Sequence, residues 1–261
     1  MKIVVFDVDE TLGHFAKLGI FWDCLKKYLT KRILNKTDFV ALLDIFPEFI
    51  RPNILSILKY VKEQKINNKC NRVMIYTNNQ GEKEWMNNIK YYFQEKLQYD
   101  LFDNIISAFK TNGVRIEWCR TTHSKCMNDL LKCAKISPAT EVCFIDDVYY
   151  PNMLTNNVYY IHLKPYKHDV SFGEMLNRVI ATPYFNKYID NKDKCRITMT
   201  DCFIGFNYIE IEKSIKEYEI DKLVGKKILE HLIFFFKDNS TKTRKKRVIK
   251  INKSKTLKIR P

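Results

Sequence analysis

The chain has 261 residues, 46% of them hydrophobic, with 17 Phe, 15 Tyr and 3 Trp, enough apolar mass for one sizeable core or one domain with an extension. Seven Gly and seven Pro exclude collagen-like and Gly/Pro-rich disordered classes, and no uninterrupted apolar run approaches the roughly 18 residues of a membrane-spanning helix. The net charge of +15 is uneven: residues 237–261 hold eleven Lys/Arg against Asp238 alone, a net +10, which leaves +5 for the rest.

That terminal stretch reads as a flexible basic arm for nucleic acid, an acidic partner or nuclear import. A chain rich in Lys, Asn, Ile and Tyr and poor in Ala also fits an AT-rich genome, which raises Lys without any function. The apolar run at 3–6 is too short for a secretory signal, so an intracellular place, cytoplasmic or nuclear of a host cell, is expected, with no membrane partner. Eight Cys, at 24, 70, 119, 126, 133, 143, 195 and 202, form no C-x-x-C pair and are expected as free thiols. The seven-residue recurrence of Cys119, Cys126 and Cys133 reads as small helical core residues before it reads as a metal site.

In chain order, residues 3–7 form a short apolar run that predicts a buried strand. Phe21, Leu25, Tyr28, Leu29 and Ile33 recur at helical spacing, and Pro52 opens a second helix carrying Leu55, Leu58 and Val61. Residues 73–77 predict another buried strand, followed by a helical stripe of Trp85, Ile89, Tyr92, Phe93 and Leu97. Ile105 and Ile106 mark a third strand, Val114, Ile116 and Trp118 alternate as in a small hairpin arm, and 124–135 is helical with Met127, Leu130, Leu131 and Ala134 inward. Residues 142–146 and 158–162 predict the fourth and fifth strands. Strands separated by helices predict an α/β fold, a parallel sheet with helices on both faces. From about 168 the alternation stops, and the expected organisation is a unit over 1–167, a helical extension over 168–236 and the basic tail over 237–261. No independent cap domain is evident in 12–72 or 78–124.

Ligands of such sheets bind at the carboxyl ends of strands where strand order reverses, which brings Asp7, Thr77 and Asp146 into one region. Four constellations lie there. In Asp7-Val8-Asp9-Glu10-Thr11, two carboxylates face one pocket if the chain bends, one placed to attack an electrophile and the other to give a proton to the leaving group. Thr77-Asn78-Asn79 offers a hydroxyl and free backbone N–H groups at a strand end, suited to a phosphate oxygen. Lys125, at the start of a helix, is placed to pair with phosphate or with the attacking carboxylate, with Lys132 and Lys135 as deeper rivals. Asp146-Asp147 after an apolar strand is costly unless solvated or bound to metal. At about 4 Å and an effective dielectric near 20, each like-charge contact costs about 4 kcal/mol. One lysine does not offset four carboxylates and a phosphate dianion. A divalent cation does, and Mg²⁺ prefers such oxygen donors.

This ordered set resembles the haloacid dehalogenase (HAD) superfamily over about residues 1–165. The resemblance implies a HAD-like Rossmannoid sheet with a minimal cap and a Mg²⁺-dependent phosphatase acting through an aspartyl-phosphate. It implies Asp7 as nucleophile and metal ligand, and Asp9 as general acid/base that binds metal through its carbonyl. Thr77 and Asn78 would hold phosphate oxygens, Lys125 would balance charge, and Asp146 and Asp147 would hold the metal. "DVDETL" and Arg51-Pro52 look like the CTD-phosphatase, or NLI-interacting-factor-like, branch. The stretch "IYTNNQGEKEW … RTTHSK … CFIDD" is most similar to versions in large DNA viruses. That branch implies a phosphoprotein substrate such as an RNA polymerase tail. "TNNQG" departs toward the Thr-Asn-Gln pattern of polynucleotide and histidinol-phosphate phosphatases, which keeps a nucleic-acid 3′-phosphatase open. A non-catalytic binder of a transcription partner is the third reading.

Overall fold

The computed structural model describes residues 1–237, 247–251 and 257–259. β1 (Lys2–Phe6) leads into three helices, α1 (Ala16–Tyr28), α2 (Lys36–Ile45) and α3 (Ile54–Ile66). β2 (Arg72–Tyr76), α4 (Lys83–Leu97) and β3 (Asn104–Ile106) follow, then a hairpin of β4 (Lys110–Thr111) and β5 (Val114–Arg115). α5 (Met127–Ala134) precedes β6 (Glu141–Asp146) and β7 (Val158–Leu163). The chain continues through α6 (Phe172–Ala181), α7 (Pro183–Asn186), α8 (Lys192–Ile204) and α9 (Ile215–Lys237) to β8 (Arg247–Ile251) and β9 (Leu257–Ile259).

The main sheet has the order β3-β2-β1-β6-β7-β8-β9, parallel from β3 to β8, with β9 antiparallel at the edge. All five predicted strands are in it. The chain builds outward from β1 to one side through β2 and β3, then returns to the other side of β1 with β6. The switch point therefore lies between β1 and β6, and Asp7 and Asp146 stand at that edge.

Alternating side chains divide the core as strand geometry requires. Val4, Phe6, Val73, Ile75, Cys143, Ile145, Tyr159 and Ile161 belong to a large cluster with residues of α1–α4 and of α6–α9. Ile3, Val5, Met74, Tyr76, Val142, Phe144, Val158 and Tyr160 belong to a second cluster with Met127, Leu130 and Ala134 of α5. Both faces are thus covered, and helices of the 168–236 stretch share the larger core, where Met175, Val179, Cys195, Met199, Ile228 and Leu232 are buried.

Three features depart from the sequence reading. Ile33 lies beyond the end of α1 and is exposed, because the helix stops at Tyr28. Within the stretch read as a flexible arm, β8 pairs in parallel with β7, Ile161 opposite Ile249 and Leu163 opposite Ile251. Ile249 and Ile251 are buried, so burial of two isoleucines outweighs the basic composition around them. Other residues of that arm, including 238–246, lie outside the described residues. Cys119 and Cys133 form a disulfide, their Cα atoms 5.1 Å apart, against the expectation of free thiols, because the segment after the hairpin folds back onto α5. The other six cysteines are free.

Candidate active site

The β1 strand ends in a tight turn. The Val8 carbonyl accepts from the Thr11 and Leu12 amides at 3.2 and 2.8 Å, and Glu10 takes a positive φ of 57°. A Cβ at Gly13 would collide with the Phe49 carbonyl oxygen, so only glycine lets the turn close against that segment. The buried Arg51 pins the turn from below: its Nε donates to the Thr11 carbonyl at 2.6 Å, and its Nη2 donates to the Glu10 carbonyl at 2.5 Å and the Lys164 carbonyl at 2.9 Å. Burial lowers the Arg51 pKa to about 10, still well above neutrality.

Around that turn, Lys125 is buried with its ammonium 2.5 Å from Asp7 Oδ1 and 2.6 Å from Asp146 Oδ2. Burial alone would pull its pKa down, but Asp7 and Asp146 outweigh that and leave it raised. The Asp146 carboxyl is also raised: burial drives it up against the pull of Lys125, and Asp7 adds to the rise. Its Oδ1 accepts from the Val148 amide at 2.8 Å. Asp147 is oriented by Thr11, whose hydroxyl donates to Asp147 Oδ1 at 3.0 Å. Burial, then Asp7, push the Asp147 carboxyl up to about 6.

Asp7, Asp146 and Asp147 each supply an oxygen within 4.8 Å of the others, and all three are buried. Three hard carboxylate oxygens converging from one sheet edge fit a Mg²⁺-like cation in donor chemistry. Such an ion would supply the charge that one lysine lacks.

Asp9 is half-buried and is held by Asn79, whose Nδ2 donates to Asp9 Oδ2 at 2.8 Å. Burial first and Asp7 second push its carboxyl up to about 6. Thr77 is buried at the end of β2, its amide bonded to the Ile106 carbonyl at 3.0 Å and its Oγ1 accepting from the Asn79 amide at 3.0 Å. Strand register sets it at the same sheet edge as Asp7, with Ile75 opposite Phe6. Asn78 is engaged on both ends: its Nδ2 donates to the Tyr150 hydroxyl at 2.9 Å, and its Oδ1 accepts from Arg120 at 2.8 Å. Direct polar contacts thus join Asp7, Lys125 and Asp146. Asp147 belongs to their carboxylate cluster, and Asp9, Thr77 and Asn78 stand around them on neighbouring turns.

Two side chains act here to which the sequence reading gave no individual role, Asn79 and Arg120. Asn79 grips Asp9. The fully buried Arg120 donates to the carbonyls of Thr77 (3.0 Å), Ser107 (2.8 Å) and His123 (2.9 Å) and to Asn78 Oδ1, which fixes the turn between β2 and α4. Arg120 heads the RTTHSK stretch, but a lone arginine in a loop carries no periodicity from which a role could be read.

No family model matches the chain, and no curated protein matches it. Among solved structures the chain is similar to the HAD domain of the effector protein Lem4 from Legionella pneumophila, with a TM-score of 0.39 and 16% identity over 74% of this chain and 96% of that one. The α/β class is plain from the sheet itself, and the functional reading rests on the side chains at its switch point.

Proposed function

We propose that the protein is a Mg²⁺-dependent phosphatase of the HAD type that hydrolyses phosphate monoesters through an aspartyl-phosphate on Asp7. The observation that carries this reading is the buried Lys125 ammonium clamped between Asp7 and Asp146, with Asp147 alongside, at the switch point of a parallel sheet. Lys125 engages one oxygen of Asp7 and orients the other toward an incoming phosphorus. Asp7 attacks that phosphorus and the bond to the leaving oxygen breaks. Asp9, its carboxyl raised to about 6, gives its proton to the leaving oxygen. Asp9 then takes a proton from water, which attacks the aspartyl-phosphate, releases phosphate and restores Asp7. Thr77 and the backbone N–H groups of its turn, with Asn78, hold the phosphoryl oxygens. Asp7, Asp146 and Asp147, with the Asp9 carbonyl, would hold a Mg²⁺, which would supply charge to offset the carboxylates and would polarise the phosphoryl group.

The substrate class is phosphoserine or phosphothreonine in a protein, as in the CTD-phosphatase-like branch that the DVDETL motif resembles. The test is phosphate release from an aryl phosphate with and without Mg²⁺. Asp7→Asn is expected to lower turnover by roughly 10⁴-fold or more while leaving the fold intact. Undiminished turnover in that variant would remove Asp7 from the mechanism.

A further inference from the structure

A cleft of 520 Å³ opens beside Asp9, and beyond Asp9 and Asn79 its lining takes no part in the chemistry above. α1 lines one side with Trp22, Asp23 and Lys26, and the start of α4 lines the other with Glu82, Glu84 and Trp85. Trp85 lies against α1 at Gly19, where a Cβ would sit 3.4 Å from its indole ring. Phe39 meets Trp22 and Trp85 edge-to-face at 5.6 and 5.2 Å, so the aromatic walls are braced from behind.

The charge of the cleft runs against that of the chain. Five carboxylates, Asp9, Glu10, Asp23, Glu82 and Glu84, line it with a single ammonium, Lys26, in a protein of net charge +15. Lys26 is already paired with Asp23 at 2.8 Å. Burial would lower the Lys26 pKa, but Asp23, and then Glu82 and Glu84 from the opposite side, hold it above its ordinary value. A second feature points to a ligand: Asn88 lines the same cleft, is 4% exposed, and its Nδ2 finds no hydrogen-bond partner among the described residues. A buried amide donor without an acceptor is costly, and a main-chain carbonyl of a peptide is the kind of group it lacks.

We propose that this cleft receives a Lys or Arg residue flanking the phosphorylated Ser or Thr of a peptide substrate. Trp85 packs the aliphatic stem and faces the cation, and Glu82 and Glu84 pair with its charge. This inference rests on the phosphatase reading of Asp7 and narrows its substrate. A nucleic-acid end fits poorly here, because its phosphodiester backbone would bring anions against five carboxylates.

The experiment compares kcat/KM of the full chain for two phosphoserine peptides of equal length, one with Arg and one with Glu beside the phosphoserine. A 3′-phosphorylated oligonucleotide and an aryl phosphate complete the set. The Arg peptide is expected to be favoured over the Glu peptide by roughly tenfold at low salt, falling to about twofold at high salt. The Glu82→Gln/Glu84→Gln double variant is expected to show the reduced ratio already at low salt. The salt titration on the unaltered protein decides the matter if that variant folds poorly. Equal use of the two peptides, or faster use of the oligonucleotide, overturns the cleft assignment while aryl phosphate turnover keeps the phosphatase reading. Absence of Mg²⁺-dependent aryl phosphate hydrolysis overturns the phosphatase reading itself.

Discussion

Replacing Lys125 by Met tests the electrostatics on which the site depends. The ammonium is 1% exposed and sits 2.5 Å from Asp7 and 2.6 Å from Asp146, so Lys125→Met leaves two buried carboxylates without their shared cation. Removing one partner of a buried ion pair costs about 3–5 kcal/mol. For a chain of this size each kcal/mol moves the melting temperature by about 2–4 °C, which gives a drop of roughly 6–20 °C near neutral pH in chelator. Added Mg²⁺ is expected to narrow that gap, because a cation held only by the folded carboxylates stabilises the fold by mass action. The assay is thermal unfolding by circular dichroism of both proteins, in chelator and in Mg²⁺. A chelated variant that melts within about 2 °C of the unaltered protein would refute the reasoning.

Three further outcomes are expected. The Asp9 and Asp147 carboxyls are both raised to about 6, above an ordinary value near 4, so the folded state binds more protons than the unfolded one in that window and loses stability as pH rises through it. Burial lowers the pKa of His162 and His168, which costs stability on acidification over the same range, so the chelated protein is expected to lose less on going from pH 7 to pH 5 than an Asp9→Asn/Asp147→Asn variant does, and equal losses in the two proteins would contradict this. Arg120→Met strands several buried carbonyls, at about 1–3 kcal/mol each, and is expected to lower stability and raise KM for an aryl phosphate, because the Thr77–Asn78 turn loses its anchor; an unchanged KM would detach Arg120 from the phosphate cradle. Truncation after residue 237 removes the buried Ile249 and Ile251 and is expected to cost about 3–5 kcal/mol. It is also expected to flatten the salt dependence of any oligonucleotide binding, and an unaltered slope would take the basic tail out of nucleic-acid contact.

The sheet was legible because its central strands are buried on both faces and read as short apolar runs closed by Asp7, Thr77 and Asp146. Strand burial did not single out Lys125 from Lys132 and Lys135; its role came from the resemblance to the HAD pattern, and it stands just before α5, ahead of the Cys126 cap. α2 was missed: its Asn35 cap and Asp38 form a capping box, but the helix is only ten residues long. β8 was hidden by its own charge, because Arg247 precedes and Lys250 separates the alternating Ile249 and Ile251 in a stretch of high basic density. Asn79 and Arg120 act from loops, through one amide and one four-bonded guanidinium, and the Cys119–Cys133 bond depends on how a hairpin folds back. The two polar side chains leave no periodic trace, and the seven-residue spacing of Cys119, Cys126 and Cys133 reads as a helical repeat rather than as a bond.

The central claim is that Asp7 carries the phosphoryl group in a cation-requiring cradle. Acid-quenching the protein during turnover of an aryl phosphate with Mg²⁺, then mapping any added phosphoryl group by mass spectrometry, tests it most directly. The expected result is a hydroxylamine-labile phosphoryl group on the peptide containing Asp7, absent in chelator and in Asp7→Asn. Phosphate release with the group on another residue, or continuing undiminished in Asp7→Asn, would contradict the account.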